Sequence, residues 1–271
     1  SSAASDVYKR QDLRTAVKAE KKDAVIIGEV WEDATTKFAY NQRRRYLLGE
    51  QLDSVMNYPF ADAVLNFVRY ANGDAFFDSV MSVIENYPPQ VTNVLMNHIG
   101  THDTERAITR LVGENPDGYG RQWQYEHNRL HEYDYLRGIS MMKIASLIQF
   151  TLPGVPSVYY GDEIGMQGMK DPFNRECMAW DSPNEELHKW YKRLGEIRRG
   201  SKVFADGEFV PLYCNYKTIA YVRDDGNNQI LVAINLDDTE ADIPVDDSWN
   251  NSYTFFGDFV CDGNIHLEPF R

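Results

Sequence analysis

Two acidic residues directly follow apolar runs that are typical of buried strands. Glu29 comes after the run 25–28, and Asp103 lies in the segment 101–104, just past a second apolar run. If these strands are parallel neighbours in a barrel, the side chains at their carboxyl ends meet at one face. Two converging carboxyl groups can protonate a leaving oxygen and stabilise an oxocarbenium-like transition state. We therefore predict one pocket that contains Glu29, Asp103 and the neighbouring His102.

The segments around these residues alternate between helical and strand patterns, which is typical of an α/β fold. The predicted strands are 24–28, 53–58, 91–99 and 156–161. The predicted helices are 12–21, 61–71, 75–85, 104–112, 134–152 and 183–199. Four strands with intervening helices predict half of a (β/α)8 barrel over residues 12–200, with catalytic groups at the carboxyl ends of its strands.

The two ends of the chain have different patterns. After Gly200, short alternating segments are separated by turn pairs such as Asp225-Gly226, which predicts a small antiparallel β-domain over residues 201–271. Its predicted strands are 209–213, 218–223, 229–235 and 242–245. We interpret this domain as a stabilising cap without chemistry of its own. Residues 1–11 show neither period and begin without a methionine, so we interpret them as a non-native or disordered leader.

Composition and charge narrow the classes of partner. The chain has 28 Lys and Arg against 41 Asp and Glu, and its net charge of −13 argues against a nucleic-acid backbone or an anionic membrane surface. Aromatic residues make up 13%, and such rings suit both cores and the faces of sugars. Cys177, Cys214 and Cys261 lack the spacing of a metal site or a disulfide framework, which fits a reducing compartment. Without a long apolar run or a signal-peptide pattern, we expect a soluble protein, cytoplasmic rather than secreted, whose natural N-terminus is missing.

Three segments, in this order, resemble motifs of the α-amylase superfamily of glycoside hydrolases. Segment 28–34 (Gly-Glu-Val-Trp-Glu-Asp-Ala) resembles the strand-five motif, whose glutamate is the general acid/base. Segment 98–106 (His-Ile-Gly-Thr-His-Asp-Thr-Glu-Arg) resembles the strand-seven motif, whose His-Asp pair binds sugar hydroxyls and stabilises the transition state. Segment 154–165 (Gly-Val-Pro-Ser-Val-Tyr-Tyr-Gly-Asp-Glu-Ile-Gly) resembles the strand-eight motif. Segments 171–175 and 178–181 are most similar to neopullulanases and cyclomaltodextrinases.

The resemblance, which runs from about residue 12 to residue 271, implies both a fold and an activity. The implied fold is the C-terminal half of a (β/α)8 TIM barrel, strands five to eight, followed by the small antiparallel all-β domain. The implied activity of a full-length parent is hydrolysis of α-glucosidic bonds by a retaining double displacement. Its substrates would be α-glucan oligosaccharides or polysaccharides: starch, maltooligosaccharides, pullulan or cyclodextrins. Taken singly, each motif also has a structural interpretation, such as a helix N-cap for Asp103.

The resemblance also assigns roles to individual residues. Glu29 is expected to protonate the glycosidic oxygen and then to activate water, a task that favours a partly buried site. Asp103 is expected to stay ionised and to hydrogen-bond the distorted sugar, while His102 donates to sugar hydroxyls. Trp31 is expected either to stack on a sugar ring or to fill a core.

Three further residues are candidates for substrate binding. Arg106 is expected to orient Asp103 or to pack in a helix, and we keep it among the substrate-binding candidates. Asp171 and Arg175 are expected on a loop after strand eight that lines the donor-side sugar sites. No cofactor and no metal site are predicted, although the resemblance leaves room for a structural Ca²⁺ in the parent. The sequence decides neither the oligomeric state nor the preferred linkage.

The nucleophilic aspartate of the family is not found in this sequence. Retaining members form a covalent intermediate on an aspartate after strand four, in an Arg-x-Asp setting. No strand with such an ending precedes Glu29 in the sequence, so we expect strands one to four to be missing and this polypeptide alone to show no measurable hydrolysis. Two alternatives stay open: an α-glucanotransferase, which forms the same intermediate, and a non-catalytic carbohydrate-binding barrel, in which the retained Glu29, His102 and Asp103 would have no purpose.

Overall fold

The computed structural model describes residues 2–39, 41–48, 50–257 and 262–270. The helices are α1 (Ser2–Glu20), α2 (Tyr58–Tyr70), α3 (Gly73–Asn86), α4 (Pro89–Thr92), α5 (Ala107–Val112), α6 (Arg121–Glu126), α7 (Glu132–Thr151), α8 (Glu185–Gly200) and α9 (Val203–Asp206). The strands are β1 (Ile27–Gly28), β2 (Phe38–Ala39), β3 (Gln42–Arg43), β4 (Ser54–Val55), β5 (Met96–Asn97), β6 (Val155–Pro156), β7 (Glu208–Asn215), β8 (Thr218–Asp224), β9 (Gln229–Asn235), β10 (Ala241–Pro244) and β11 (Asn264–Leu267).

Four short parallel strands run through the first two thirds of the chain. Strand β1 pairs with β4 and β5 with β6, and a parallel bridge between Met56 and Met96 connects the two pairs. The spatial order β1-β4-β5-β6 therefore follows the chain. Helices lie between β4 and β5 and between β5 and β6, whereas the hairpin of β2 and β3 lies between β1 and β4. This arrangement confirms the predicted α/β alternation, although the described strands do not close into a barrel.

Helices α2 and α3 begin two to three residues before their predicted starts at 61 and 75, each directly after an asparagine cap. The side chain of Asn57 accepts a hydrogen bond from the backbone N–H of Phe60, and Asn72 caps Ala75 in the same way. Each such cap stabilises a helix by about 1 kcal/mol. Ala71, with φ of 54°, ends α2 and lets the chain reverse into α3. The apolar faces of both helices pack with α5 and α7 into one buried core.

The predicted strand over 91–99 is too long. Pro88 and Pro89 start the short helix α4 instead, because proline fits the first turn of a helix without losing a needed hydrogen bond. Only Met96 and Asn97 then pair as strand β5.

All four strands predicted after residue 200 form. Strands β7, β8 and β9 make an antiparallel sheet, and β10 pairs with β11, a strand that was not predicted. One set of buried side chains on the sheet, including Tyr221 and Ile234, belongs to the same core as the helices. A second, smaller cluster centres on Ala220, Ile243 and Ile265. Because the main core continues into this sheet, the proposed domain boundary near residue 201 stays a prediction.

The N-terminal segment differs from its expected form. Residues 2–20 make one helix, α1, which takes in the described part of the expected leader 1–11. Arg14 and Lys18, one turn apart, both pair with Asp53 at distances of 2.7 and 2.9 Å. These pairs hold α1 beside the start of β4, and they lie in the part of α1 that the sequence predicted as the helix 12–21. No helix in the described ranges is long and apolar enough to cross a membrane.

Candidate active site

Glu29 directly follows β1, as predicted, and its carboxylate has two donors. One oxygen, Oε1, accepts hydrogen bonds from Trp31 Nε1 and from the Tyr58 hydroxyl, both at 3.1 Å. The residue is exposed, whereas a partly buried site was expected. The exposure arises because β1 pairs on one side only, with β4, in the part of the chain that the structure describes.

Trp31 lies flat against Tyr58, with ring centroids 4.2 Å apart and planes inclined by 13°. The indole is 49% exposed, so it does not fill a core. One face is covered by the tyrosine while the rest of the ring borders solvent beside Glu29. This geometry leaves an aromatic surface next to a carboxyl group, which is a suitable arrangement for stacking on a sugar.

Tyr58 is a site residue that the sequence analysis missed. It is buried at the start of α2, and its ring makes an edge contact with His98 at 4.5 Å. Burial raises the pKa of its hydroxyl to about 12; a hydrogen bond with Thr101 opposes this shift, and the negative charges of Glu29 and Asp103 add to it. Both carboxylates therefore act on one hydroxyl group. A signal existed, since Tyr58 ends the predicted strand 53–58.

His102 and Asp103 lie in the turn that follows β5. His102 Nε2 is 3.2 Å from one carboxylate oxygen of Asp103, and the backbone N–H of Asp103 donates to Thr101 Oγ1. The helix behind this turn, α5, starts only at Ala107, with Arg106 at its N-cap position. The alternative role of Asp103 as a helix cap is therefore wrong.

Arg175 and Asp171 reach the same turn from the loop after β6. Arg175 donates to the other carboxylate oxygen of Asp103 at 3.3 Å and to the backbone carbonyl of His102 at 3.0 Å. Its guanidinium also lies 3.6 Å from Asp171. The structure thus brings Asp171, Arg175, Asp103 and His102 into one exposed row of charged groups.

Arg106 does not belong to this exposed row, which corrects its place among the substrate-binding candidates. The side chain is fully buried and lies 3.5 Å from the buried carboxylate of Asp162. Its guanidinium is in contact with the rings of Tyr159 and Tyr160, at 4.4 and 4.6 Å, and donates to the carbonyl of Tyr160. The residue turns inward because its backbone N–H is held by Gly168 just before α5 enters the core.

The Arg-x-Asp letters do occur once before Glu29, as Arg10, Gln11 and Asp12. They lie inside helix α1 and not at the end of a strand, so they do not occupy the position of a barrel nucleophile. Within the described ranges, no group of three or more His, Cys, Asp or Glu side chains is placed to hold a metal ion. Cys177 and Cys214 are free thiols, and Cys261 lies outside the described residues.

Comparisons with known proteins place the chain in a family. Residues 5–225 match the family model described as the alpha amylase catalytic domain. A cyclomaltodextrinase of Geobacillus thermopakistaniensis is 34% identical over 241 residues, which cover 87% of this chain and 35% of that protein. Neopullulanase 2 of Thermoactinomyces vulgaris is 34% identical over 194 residues, or 69% of this chain and 27% of that protein.

Solved structures give the same picture of the fold. A cyclomaltodextrinase structure aligns with a TM-score of 0.73 at 28% identity, and the alignment covers 96% of this chain and 41% of that one. The debranching enzyme of Nostoc punctiforme aligns with a TM-score of 0.74 at 24% identity, over 96% of this chain and 52% of that one, which shows likeness of fold alone. The chain thus spans about a third of the curated relatives' length and about half that of the structures.

Proposed function

The chain belongs to the α-amylase catalytic-domain family, and from this premise we propose that it supplies the acid/base side of a glycosidase site that cleaves α-glucosidic bonds. The observation that supports this most is the position of Tyr58. Its hydroxyl bonds to Glu29, and the charge of Asp103 acts on it as well, although the two carboxylates come from different strands. Glycoside hydrolysis requires two carboxyl groups that act on the same bond, and we take Glu29 and Asp103 as that pair.

Each residue then has a defined task. Glu29 donates its proton to the glycosidic oxygen and later takes a proton from water. Asp103 stays ionised and binds the distorted sugar ring as positive charge develops on it, while His102 donates to sugar hydroxyls. Trp31 stacks on the sugar that leaves, beside the group that protonates it. Asp171 and Arg175 border the donor side of the same cleft.

The finer fold belongs to the same proposal. We take β1, β4, β5 and β6 as strands five to eight of a (β/α)8 barrel, and β7 to β11 as a small domain that caps it. A retaining mechanism then needs a nucleophilic aspartate from the end of strand four. Since no described strand precedes β1, residues 1–271 alone are proposed to be inactive, and the complete gene product that carries them is proposed to hydrolyse α-glucans.

The test is release of a chromogenic leaving group from a maltooligosaccharide. In the complete gene product, Glu29→Gln should lower turnover by about 100-fold or more, the usual contribution of a general acid/base. Turnover should return with α-maltosyl fluoride and azide, because fluoride leaves without a proton and azide attacks without a base. The matched control is Glu32→Gln, three residues along, whose exposed carboxylate pairs with Lys37.

Two outcomes would contradict the proposal. If Glu29→Gln turned over substrate at the wild-type rate, Glu29 would not be the general acid/base. Turnover by residues 1–271 alone that disappears in Glu29→Gln would instead overturn the proposed inactivity of this segment.

A further inference from the structure

A buried amide lies directly behind the turn that carries Asp103. Asn174, in the short helical turn Phe173–Arg175 after β6, is 0% exposed. Its side-chain Nδ2 donates to the backbone carbonyl of His102 at 2.8 Å and to that of Thr104 at 2.6 Å. These carbonyls belong to the residues immediately before and after Asp103, so a single NH2 group holds the backbone on both sides of it.

Both hydrogens of the Asn174 amide are used in this contact. An NH2 group has two hydrogens, and the two carbonyls use both of them. The other atom of the side chain, Oδ1, has no hydrogen-bond partner among the described residues although it is buried. A buried polar atom without a partner carries a free-energy cost. The side chain is therefore oriented by its donors, toward the turn.

The backbone of Asn174 and of its loop is held by two tyrosine hydroxyls. The hydroxyl of Tyr159 donates to the backbone carbonyl of Asn174 at 3.3 Å, and that of Tyr160 donates to Glu176 two residues later at 2.8 Å. Both tyrosine rings contact the buried guanidinium of Arg106. The loop after β6 is thus anchored to the core on each side of Arg175, and the amide is a rigid group rather than an adaptable one.

We propose that Asn174 is a positioning residue: its buried amide fixes the backbone on both sides of Asp103 and so sets the direction of that carboxylate in the active site. This inference rests on the proposed function and deepens it. The carbonyl of His102 belongs to the peptide plane that precedes Asp103, and the carbonyl of Thr104 belongs to the plane that follows Thr104. Holding both restricts the turn on each side of Asp103, and the direction of its Cα–Cβ bond follows from that backbone. Arg175 and His102 then orient the carboxylate itself.

Loss of the Asn174 amide should weaken binding of the transition state more than binding of the substrate. Asp103 binds the sugar most strongly when the ring is distorted and charged, so a misdirected carboxylate lowers kcat and leaves KM nearly unchanged. In the complete gene product, Asn174→Ala should lower kcat by about 10- to 100-fold, the scale expected for a catalytic group displaced by a fraction of an ångström to 1 Å. Asn174→Asp, of the same shape but with acceptors facing two carbonyls, should lower kcat at least as much.

The deciding measurement is a double-mutant cycle with Asp103→Asn. If Asn174 acts through Asp103, Asn174→Ala should change kcat less than about twofold once Asp103 is already replaced. The matched control is Asn128→Ala, which removes another buried amide from the same region: Asn128 accepts from the backbone of Met169 and donates to Glu176, away from the turn. This control should cost similar stability, leave kcat within a few-fold and be additive with Asp103→Asn.

The outcomes separate the two proposals. Suppose that Glu29→Gln abolishes turnover. If Asn174→Ala then lowers kcat no more than Asn128→Ala does, or lowers kcat equally with Asp103 and with Asp103→Asn, the positioning role is wrong and the glycosidase proposal stands. If turnover does not depend on Glu29, both fail. If a thermal melt shows that Asn174→Ala is unfolded at the assay temperature, Asn174→Ser, which keeps one donor, replaces it. The same double-mutant cycle with Asp103→Asn then decides the role of Asn174.

Discussion

At the scale of single residues, a tyrosine hydroxyl and a carboxylate define the candidate site. Glu29 Oε1 receives hydrogen bonds from Tyr58 and Trp31, and these two rings stack on each other. The stack limits the freedom of both donors, so the carboxylate has one preferred orientation. An acid/base residue that moves freely would meet the glycosidic oxygen less often, because reaction depends on a narrow range of geometry.

Removal of this hydroxyl gives a residue-level prediction. Tyr58→Phe keeps the stacking on Trp31 and loses only the bond to Glu29, so kcat/KM in the complete gene product should fall by about 10-fold, corresponding to the roughly 1.4 kcal/mol of a hydrogen bond to a charged group. Steady-state hydrolysis of a chromogenic maltooligosaccharide measures it.

The control for that variant is Tyr87→Phe. Tyr87 is also buried, burial raises its pKa to about 12 as well, and its hydroxyl accepts from the backbone of Ala34. Both variants should lose a similar amount of stability, about 1 kcal/mol. Equal turnover in the two variants would show that the Tyr58 hydroxyl has no role beyond the fold.

At the scale of elements, the turn after β5 and the loop after β6 are joined by a buried ion pair. A Cβ atom added to Gly100 would lie 2.2 Å from Asp162 Oδ2, so only glycine lets this turn approach the carboxylate. Burial raises the pKa of Asp162 to about 7, while the Arg106 guanidinium opposes the rise. The pair therefore fixes two neighbouring strand ends against each other below the active-site surface.

Breaking this pair should be costly and dependent on pH. Arg106→Met leaves a buried carboxyl without its counter-charge, and we expect a loss of about 3–5 kcal/mol in the free energy of unfolding. Without Arg106, the pKa of Asp162 rises further above its unfolded value. The stability of such a group is present at low pH and is lost as pH rises through the folded pKa, so the deficit should be smaller at pH 5 than at pH 8.

Urea unfolding at both pH values measures the deficit. Arg193→Met is the control, because Arg193 is exposed and pairs with Glu196 within the same helix at 3.4 Å. An exposed pair of this kind should contribute no more than about 1 kcal/mol. A deficit for Arg106→Met that is equal at pH 5 and pH 8 would contradict the buried-charge explanation.

At the scale of the whole molecule, the open sides of the parallel strands are unusual. Ile27 in β1 and Val155 in β6 are exposed, as are the neighbouring Val25 and Val158. In the described residues, β1 and β6 each pair on one side only. Unpaired strand edges next to exposed apolar side chains promote association.

We therefore predict that residues 1–271 self-associate at micromolar concentrations. Sedimentation velocity across a dilution series should show species larger than a monomer, and Ile27→Lys or Val155→Lys should shift the distribution toward the monomer. Leu136→Lys is the control, since this exposed leucine lies on helix α7 and not on a strand. A monomer at all concentrations, with unchanged behaviour in the variants, would contradict the prediction.

Much of the architecture and part of the site could be predicted, because their signals are local. Apolar runs predicted the order of the parallel strands, helical patterns on either side of a break at residues 72–73 predicted α2 and α3, and alternation predicted β7 to β10. Glu29, His102 and Asp103 were found because each directly follows a strand. The second half of α1 was predicted as the helix 12–21, whereas its first half was assigned to a leader because residues 2–11 show no apolar period.

The sequence by itself determined which residues stand at strand ends, since burial of an apolar run and the exposure of the residue after it are properties of neighbouring letters. Only the tertiary structure decided that Arg106 turns inward to Asp162 and that the Tyr58 hydroxyl donates to Glu29. It also decided that Asn174 reaches a carbonyl 72 residues away in the chain. Such contacts depend on how strands and loops align in space, and no local period or spacing encodes that alignment.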